Sequence, residues 1–338
     1  MSARAGDRVV MLGPNVLRHF YAGGARIAAL RGTEPSDHTP EEWLGAVTST
    51  FDGSRGLSRL SDGTLLRDAI EGEPVAFLGA EHVARFGADA GLLVKLLDAG
   101  QRLPVHFHPD RAFAHRELGT AHGKTEAWII VEAEPGASVH IGFARRVKLP
   151  EVRAWMAAQD SEAMLATLRE LPVAAGDTFF VPAGTPHAIG AGILMVEVQE
   201  PSDLSVLLEW DGFELSEDDG HLGLGWDTAL RALDTSAWDA ERLAALRGPG
   251  PGRSLLPPEA DPFFRAERVR GGDELDPGFA ILVGLAGSGA LGGEPFGRGS
   301  AALVPHGAGS LTLGGDVEAI RCRPADPASA SAPVSRRI

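Results

Sequence analysis

Residues 176–190 read GDTFFVPAGTPHAIG. Gly176 opens a β-favouring apolar run, Pro182 and Gly184 end it in a tight turn, and His187 begins the next strand. Working outward towards the N-terminus, residues 105–114 read VHFHPDRAFA and residues 123–128 read GKTEAW. In a strand alternate side chains share a face, so His106 and His108 point the same way with Cβ atoms about 6–7 Å apart, and Phe107 turns into apolar packing. Such a pair alone suits a solvated sheet face equally well. His187 adds a third imidazole that can face the same cavity, and Glu126 opens the apolar strand EAWIIVEA, where a lone carboxylate is costly to bury. A cation offsets that cost. Three imidazoles and a carboxylate are borderline nitrogen and oxygen donors, which suit Zn²⁺ first and Mn²⁺, Fe²⁺, Co²⁺ or Ni²⁺ next.

The surrounding segments share the β rhythm. GLLVKLLDA (91–99), ASVHIGFA (137–144) and GILMVEVQE (192–200) are short runs bounded by Gly, Pro or Asp. PEEWLGAVTSTF (40–51) reads as a short helix start or turn leading into a strand that carries Trp43. One helical passage, EVRAWMAAQDSEAMLATLREL (151–171), repeats Val152, Trp155, Met156, Met164, Leu165 and Leu168 at helical spacing before Pro172, and is expected as an insertion of about 150–171 between strands. A second helical region, about Trp226 to Arg247, ends in the breaker GPGPGR. Strands with glycine turns then resume in FFRAERVR, FAILVGLAGSGALGG, SAALVPHGAGSLTLGG and VEAIRCRP. The expected organisation is an N-terminal segment with a metal-binding β module over 1–215, a helical connector over 216–252, a second β module over 253–325 and a disordered tail over 326–338.

Composition limits the partners. The chain of 338 residues is 44% hydrophobic, enough for a sizeable core, and its 43 Gly and 23 Pro fit many short strands. A formal net charge of −15 repels nucleic acid and anionic lipid, and no basic patch offsets it. The single cysteine, Cys322, rules out an intrachain disulfide. No window approaches the ~18 apolar residues of a membrane span, and MSARAGDRVVMLGPN lacks a secretory core, so the expected setting is the cytoplasm.

LLVKLLDA, HFHPD, GKTEAW, GDTFFVPAGTPHAIGAGI and EVQEPSD together resemble the class I mannose-6-phosphate isomerase family, metal-dependent members of the cupin superfamily. The resemblance is strongest over roughly residues 90–210; PEEWLGAVTS is similar to the family's N-terminal segment around a Trp, and the C-terminal strands to its second barrel. It implies a mainly β fold of two cupin-type, jelly-roll barrels with helical insertions, the second barrel degenerate. It also implies a metal held by His106, His108, Glu126 and His187, and aldose–ketose isomerisation through an enediol on a sugar or sugar phosphate, by a monomer or homodimer. Lys124 and Asp203 match catalytic positions. Lys95, Trp43, Arg111 and Glu200 are the expected substrate-binding side chains, and the proton-transferring base is open among Lys124, Asp203, Glu200 and a metal-bound hydroxide.

Two positions depart from the family pattern. Leu207 stands where phosphosugar members place an arginine, and Pro104 where a serine is common. Leucine cannot grip a phosphate as a guanidinium does. Arg111, Arg145 or Arg146 are alternative cations. The competing functions are therefore an isomerase of unphosphorylated or otherwise anionic sugars, an Fe²⁺ cupin oxygenase, and a non-catalytic sugar-binding cupin. His306 in LVPHGAG has no HxH or acidic partner nearby and is expected as a turn or packing histidine.

Overall fold

The computed structural model describes residues 4–250 and 252–328. The strands of the N-terminal two-thirds are β1 (Val10–Met11), β2 (Val16–Leu17), β3 (Glu41–Leu44), β4 (Leu93–Ala99), β5 (His106–Phe107), β6 (Glu126–Ala133), β7 (Ser138–Phe143), β8 (Leu168–Pro172), β9 (Thr178–Val181), β10 (His187–Ile189), β11 (Ile193–Gln199) and β12 (Val206–Leu207). A six-stranded antiparallel sheet in the order β2-β3-β4-β11-β6-β9 faces a five-stranded one in the order β12-β5-β10-β7-β8. The two close a cupin-type barrel. The remaining strands are β13 (Phe264–Arg270), β14 (Glu274–Leu275), β15 (Ala280–Ala286), β16 (Ser288–Leu291), β17 (Glu294–Gly297), β18 (Ala301–Val304), β19 (Leu311–Thr312) and β20 (Glu318–Pro324). Their main sheet runs β1-β18-β15-β20-β13, so the first strand of the chain pairs with the C-terminal module, Val10 opposite Leu303.

The apolar runs of the sequence are continuous because both faces of the six-stranded sheet are buried. Leu97, Trp128, Ile130, Val181 and Met195 pack inside the barrel. Val94, Leu96, Ile129, Val196 and Val198 pack outward, in one cluster with Phe264, Ile281, Val283, Ile320 and Cys322 of the C-terminal sheet. The second barrel thus braces the wall that carries the site. Across the inner face one register row runs Trp43, Lys95, Glu197, Trp128, Phe179. Charged groups in such a row have no water to face, and must satisfy one another.

On the opposite sheet a bulge between His140 and Phe143 turns β7 over: Ile141 packs inside the barrel and Phe143 outside. Gly142 makes this possible, with φ of +67° and a ring carbon of Trp238 only 2.3 Å from where a Cβ would sit.

The helical expectations need correction. The passage 151–171 forms two helices, Leu149–Ala158 and Ser161–Ala166, separated by Gln159 in the left-handed conformation; Asp160 caps the second by accepting from the Ala163 amide. Leu168–Pro172 is not helical. It is β8, because pairing with β7 outweighs local propensity. The region from Trp226 is likewise broken into short turns of helix, Trp226–Ala229, Leu230–Ala232 and Ala240–Ala245. Four helices within residues 25–86 were not expected: Ala25–Arg31, Leu66–Gly72, Pro74–Leu78 and Ala80–Phe86. Each is too short for its periodicity to stand out. His306 begins a single turn of 3₁₀ helix and packs against Gly79. Of the tail expected from residue 326, residues 329–338 lie outside the described residues.

Candidate metal centre

His106 and His187 are direct partners across the β5–β10 pair, and His108 follows two residues on. Their ring centroids lie 4.1 Å (His106–His187) and 5.0 Å (His108 to each) apart, and their donor nitrogens all fall within 4.8 Å of one another. Each ring is oriented by a backbone carbonyl at 2.8 Å from Nδ1: Pro104 for His106, Leu204 for His108 and Thr185 for His187. A carbonyl only accepts, so each Nδ1 carries the hydrogen and each Nε2 presents a lone pair to the interior. Burial holds all three imidazoles neutral, pushing His108 and His187 down to about 3 and His106 well below its ordinary range. His187 Nε2 is buried with no hydrogen-bond partner. Three neutral, inward-facing nitrogens are the donor set a divalent cation takes, and the group fits a metal site.

Glu126 approaches two of these nitrogens, 3.1 Å from His108 Nε2 and 3.3 Å from His187 Nε2. A carboxylate facing unprotonated nitrogens is repulsive unless positive charge lies between them. Lys124 supplies some: its Nζ is 2.7 Å from Glu126 and 2.9 Å from His108 Nε2. Burial opposes ionisation of Glu126, and the Lys124 cation overcomes it, holding the carboxyl well below its usual range. The Trp128 indole N–H donates to the other oxygen at 3.0 Å.

From Lys124 a buried file of alternating charge runs along the inner face. Lys124 Nζ is 3.8 Å from Glu197, whose other oxygen is 3.5 Å from Lys95 Nζ; Lys95 is in turn 3.1 Å from Glu41. Glu41 also accepts from the Tyr21 hydroxyl and the Trp43 indole, each at 2.7 Å, and lies 3.3 Å from His19. Glu197 is the unusual member. Burial raises its pKa, the two lysines only partly reverse this, and it stands at about 7, with Oε2 lacking a hydrogen-bond partner. Glu197 and Glu41 were missed in the sequence. Glu197 is a lone charge within the apolar strand β11, and this was the available signal.

The structure brings Lys124, Lys95 and Glu126 together with the histidines, directly or through Glu197. Trp43 is fully buried; Lys95 Nζ lies 4.9 Å over its ring. Asp203 is half-buried and accepts the Phe51 amide at 3.0 Å. Glu200 and Arg111 pair with each other, Arg111 Nε donating to Glu200 at 2.5 Å, and among the described residues neither bonds to the three histidines. Arg145 pairs with Glu151 at the surface. Leu207 is the direct cross-strand partner of His106, so the departure from the family pattern falls beside the histidine group.

Fold and site together define a two-barrel cupin with a buried three-histidine centre. No family model matches the chain. A mannose-6-phosphate isomerase of Streptococcus mutans is 38% identical over 186 residues, 54% of this chain and 54% of that protein. The chain therefore matches about half the length of its curated relatives. A solved structure described as a putative mannosephosphate isomerase from Archaeoglobus fulgidus superposes with a TM-score of 0.74 at 21% identity, covering 95% of this chain and 98% of that one. A mannose 6-phosphate isomerase bound with zinc and yttrium superposes with a TM-score of 0.70 at 17% identity, over 94% and 100%. The curated relatives bear out the resemblance to the class I mannose-6-phosphate isomerase family, and the solved structures share the fold. No helix among the described residues is long and apolar enough to cross a membrane.

Proposed function

We propose that the chain is a metal-dependent aldose–ketose isomerase of the mannose-6-phosphate isomerase type, working in the cytoplasm on a small sugar or sugar phosphate. The observation that carries this reading is the juxtaposition of three neutral, inward-facing imidazoles with Lys124 and with Glu197, a carboxyl whose pKa stands at about 7. His106, His108, His187 and Glu126 would hold the ion, and their nitrogen-rich donor set favours Zn²⁺. When bound, such an ion supplies Lewis-acid charge to sugar oxygens.

The chain's own residues supply the rest. Glu197, poised near neutrality, takes the proton from the carbon beside the open-chain carbonyl and returns it to the neighbouring carbon, because a base tuned close to the working pH exchanges protons most efficiently. The Lys124 ammonium hydrogen-bonds the oxygen on which charge develops. Lys95 and Glu41 hold Glu197 in place and set its proton affinity. The barrel walls exclude bulk water, which strengthens each of these interactions.

A second reading concerns the substrate. Leu207 puts an apolar side chain opposite His106, which favours a sugar without a phosphate at that position. Both readings are tested by incubating the zinc-loaded protein in D₂O with mannose, mannose 6-phosphate and their ketoses, and following isomerisation and carbon-bound deuterium by NMR. Isomerisation with exchange supports the enzyme, and the sugar that reacts decides the substrate class. No exchange with any sugar refutes it.

A further inference from the structure

A second cluster of charges surrounds the backbone that carries Lys124. His122 lies between two carboxylates, Nε2 2.5 Å from Asp89 and Nδ1 3.8 Å from Glu200, the second being an ion-pair rather than a hydrogen-bond distance. Asp89 belongs to the loop after Ala80–Phe86; its other oxygen accepts the Gly91 amide, and its carbonyl meets His82 Nε2. Glu200 is fully buried. It accepts the Thr125 amide at 2.9 Å and the Arg111 Nε hydrogen, and the Arg111 guanidinium in turn lies 4.6 Å over the Phe263 ring.

Segments 123–125 and 200–202 are stitched together around this cluster. The Thr125 amide donates to the Glu200 side chain, the Glu200 amide donates to the Thr125 carbonyl at 3.0 Å, and Ser202 Oγ donates to the Gly123 carbonyl at 2.5 Å. The Lys124 amide donates to the Pro109 carbonyl at 3.0 Å. At Gly123 the fit leaves no room for a side chain, since a Cβ would lie 2.6 Å from the backbone of Asp110 and Arg111. Lys124 therefore emerges from a strip of chain whose path is fixed on one side by Glu200. Two carboxylates face this cluster and Arg111 neutralises only one; a charged His122 ring balances the other. Burial opposes that charge, but Asp89 and Glu200 prevail and hold the ring's pKa up at about 9, so it is an imidazolium at neutral pH.

We propose that His122, clasped between Asp89 and Glu200, is a positioning residue that holds Gly123–Thr125 in the path delivering the Lys124 ammonium to Glu126 and His108. Its consequence for turnover rests on the role given to Lys124 under the proposed function. The clamp itself does not.

The test uses the zinc-loaded full chain and two variants, His122→Gln, which removes the charge, and His122→Arg, which restores a cation between the carboxylates. Hydrogen exchange is read at pH 7 on the peptide covering residues 119–126. His122→Gln should exchange there roughly ten- to hundredfold faster, the factor carried by loss of a charge-assisted hydrogen bond worth about 1.5–3 kcal/mol. His122→Arg should recover most of the protection, and kcat should fall and recover in the same order with zinc content unchanged. Should His122→Gln lose structure globally, Asp89→Asn removes only the outer partner and must show the same local loss. Parent-like exchange in both His122→Gln and Asp89→Asn overturns the clamp, as does a folded His122→Arg that exchanges like His122→Gln. If no form isomerises any sugar, the isomerase reading fails while the exchange data still decide the clamp.

Discussion

Glu41→Gln is the most informative single change in the buried charge file. The amide is isosteric: its oxygen can still accept from the Trp43 indole, and its NH2, in place of the oxygen that accepts from Tyr21, can donate to the Tyr21 hydroxyl oxygen, so packing and a hydrogen bond to each partner survive. What is lost is the negative charge 3.1 Å from Lys95 and 3.3 Å from His19. Removing one member of a buried pair typically costs about 3–5 kcal/mol, and the lower end applies because Glu197 still faces Lys95. At roughly 2 °C per kcal/mol for a chain of this size, the melting temperature should fall by about 6 °C. The catalytic signature is more specific. Burial sets the elevated pKa of Glu197, at about 7, and the charge of Glu41 adds to it. Neutralising Glu41 removes that contribution and leaves Lys95 to Glu197 alone, so the Glu197 pKa must fall. The rising limb of kcat/KM against pH, which reports the base becoming unprotonated, should move to lower pH. Calorimetry and a pH–rate profile on the zinc-loaded protein check both. A limb that stays in place, or moves to higher pH, refutes the assignment of Glu197 as the base coupled to this file.

Other outcomes follow from the same geometry. His108→Ala should lose bound zinc and turnover together; zinc at a hundred times its Kd should stabilise the parent by about 2.7 kcal/mol in thermal unfolding and leave this variant unmoved. Lys124→Ala should keep zinc by elemental analysis yet lower kcat by roughly 10²–10³, the usual loss when one charge-stabilising donor is removed. Burial lowers the pKa of His122, and Asp89 and Glu200 outweigh it and raise it in the fold to about 9. Its contribution to stability is therefore complete below the ordinary imidazole value of about 6.5 and lost as pH rises through about 9. Urea midpoints between these limits should fall in the parent and stay flatter in His122→Arg.

The three-histidine group and the carboxylate beside it were legible because their signal is local. Alternate spacing puts His106 and His108 on one face, the turn at Pro182–Gly184 presents His187, and the apolar neighbours of Glu126 make its charge conspicuous. The mainly β character was legible for the same reason, as short apolar runs closed by glycine and proline, while the two barrels were implied by the family resemblance. What escaped depends on distant pairing. Glu197 and Glu41 gain meaning only from the register that sets Glu197 opposite Lys95 and Glu41 beside it, and no spacing along the chain reports which strands are neighbours. Glu200 and Arg111 look like site residues in sequence, yet β11 ends one residue before Glu200, and its side chain turns to the Thr125 amide instead. Trp43, expected against substrate, is sealed in the wall and serves Glu41. The segment 168–172 has helical composition but lies along the edge of β7, where backbone pairing decides its form.

The central claim is that His106, His108 and His187 bind one divalent ion through Nε2. Zinc K-edge X-ray absorption on the stoichiometrically loaded protein tests it most directly. A first shell of three nitrogens at about 2.0–2.1 Å with imidazole multiple scattering, completed by oxygen, is the predicted spectrum. An all-oxygen shell without imidazole scattering would contradict it.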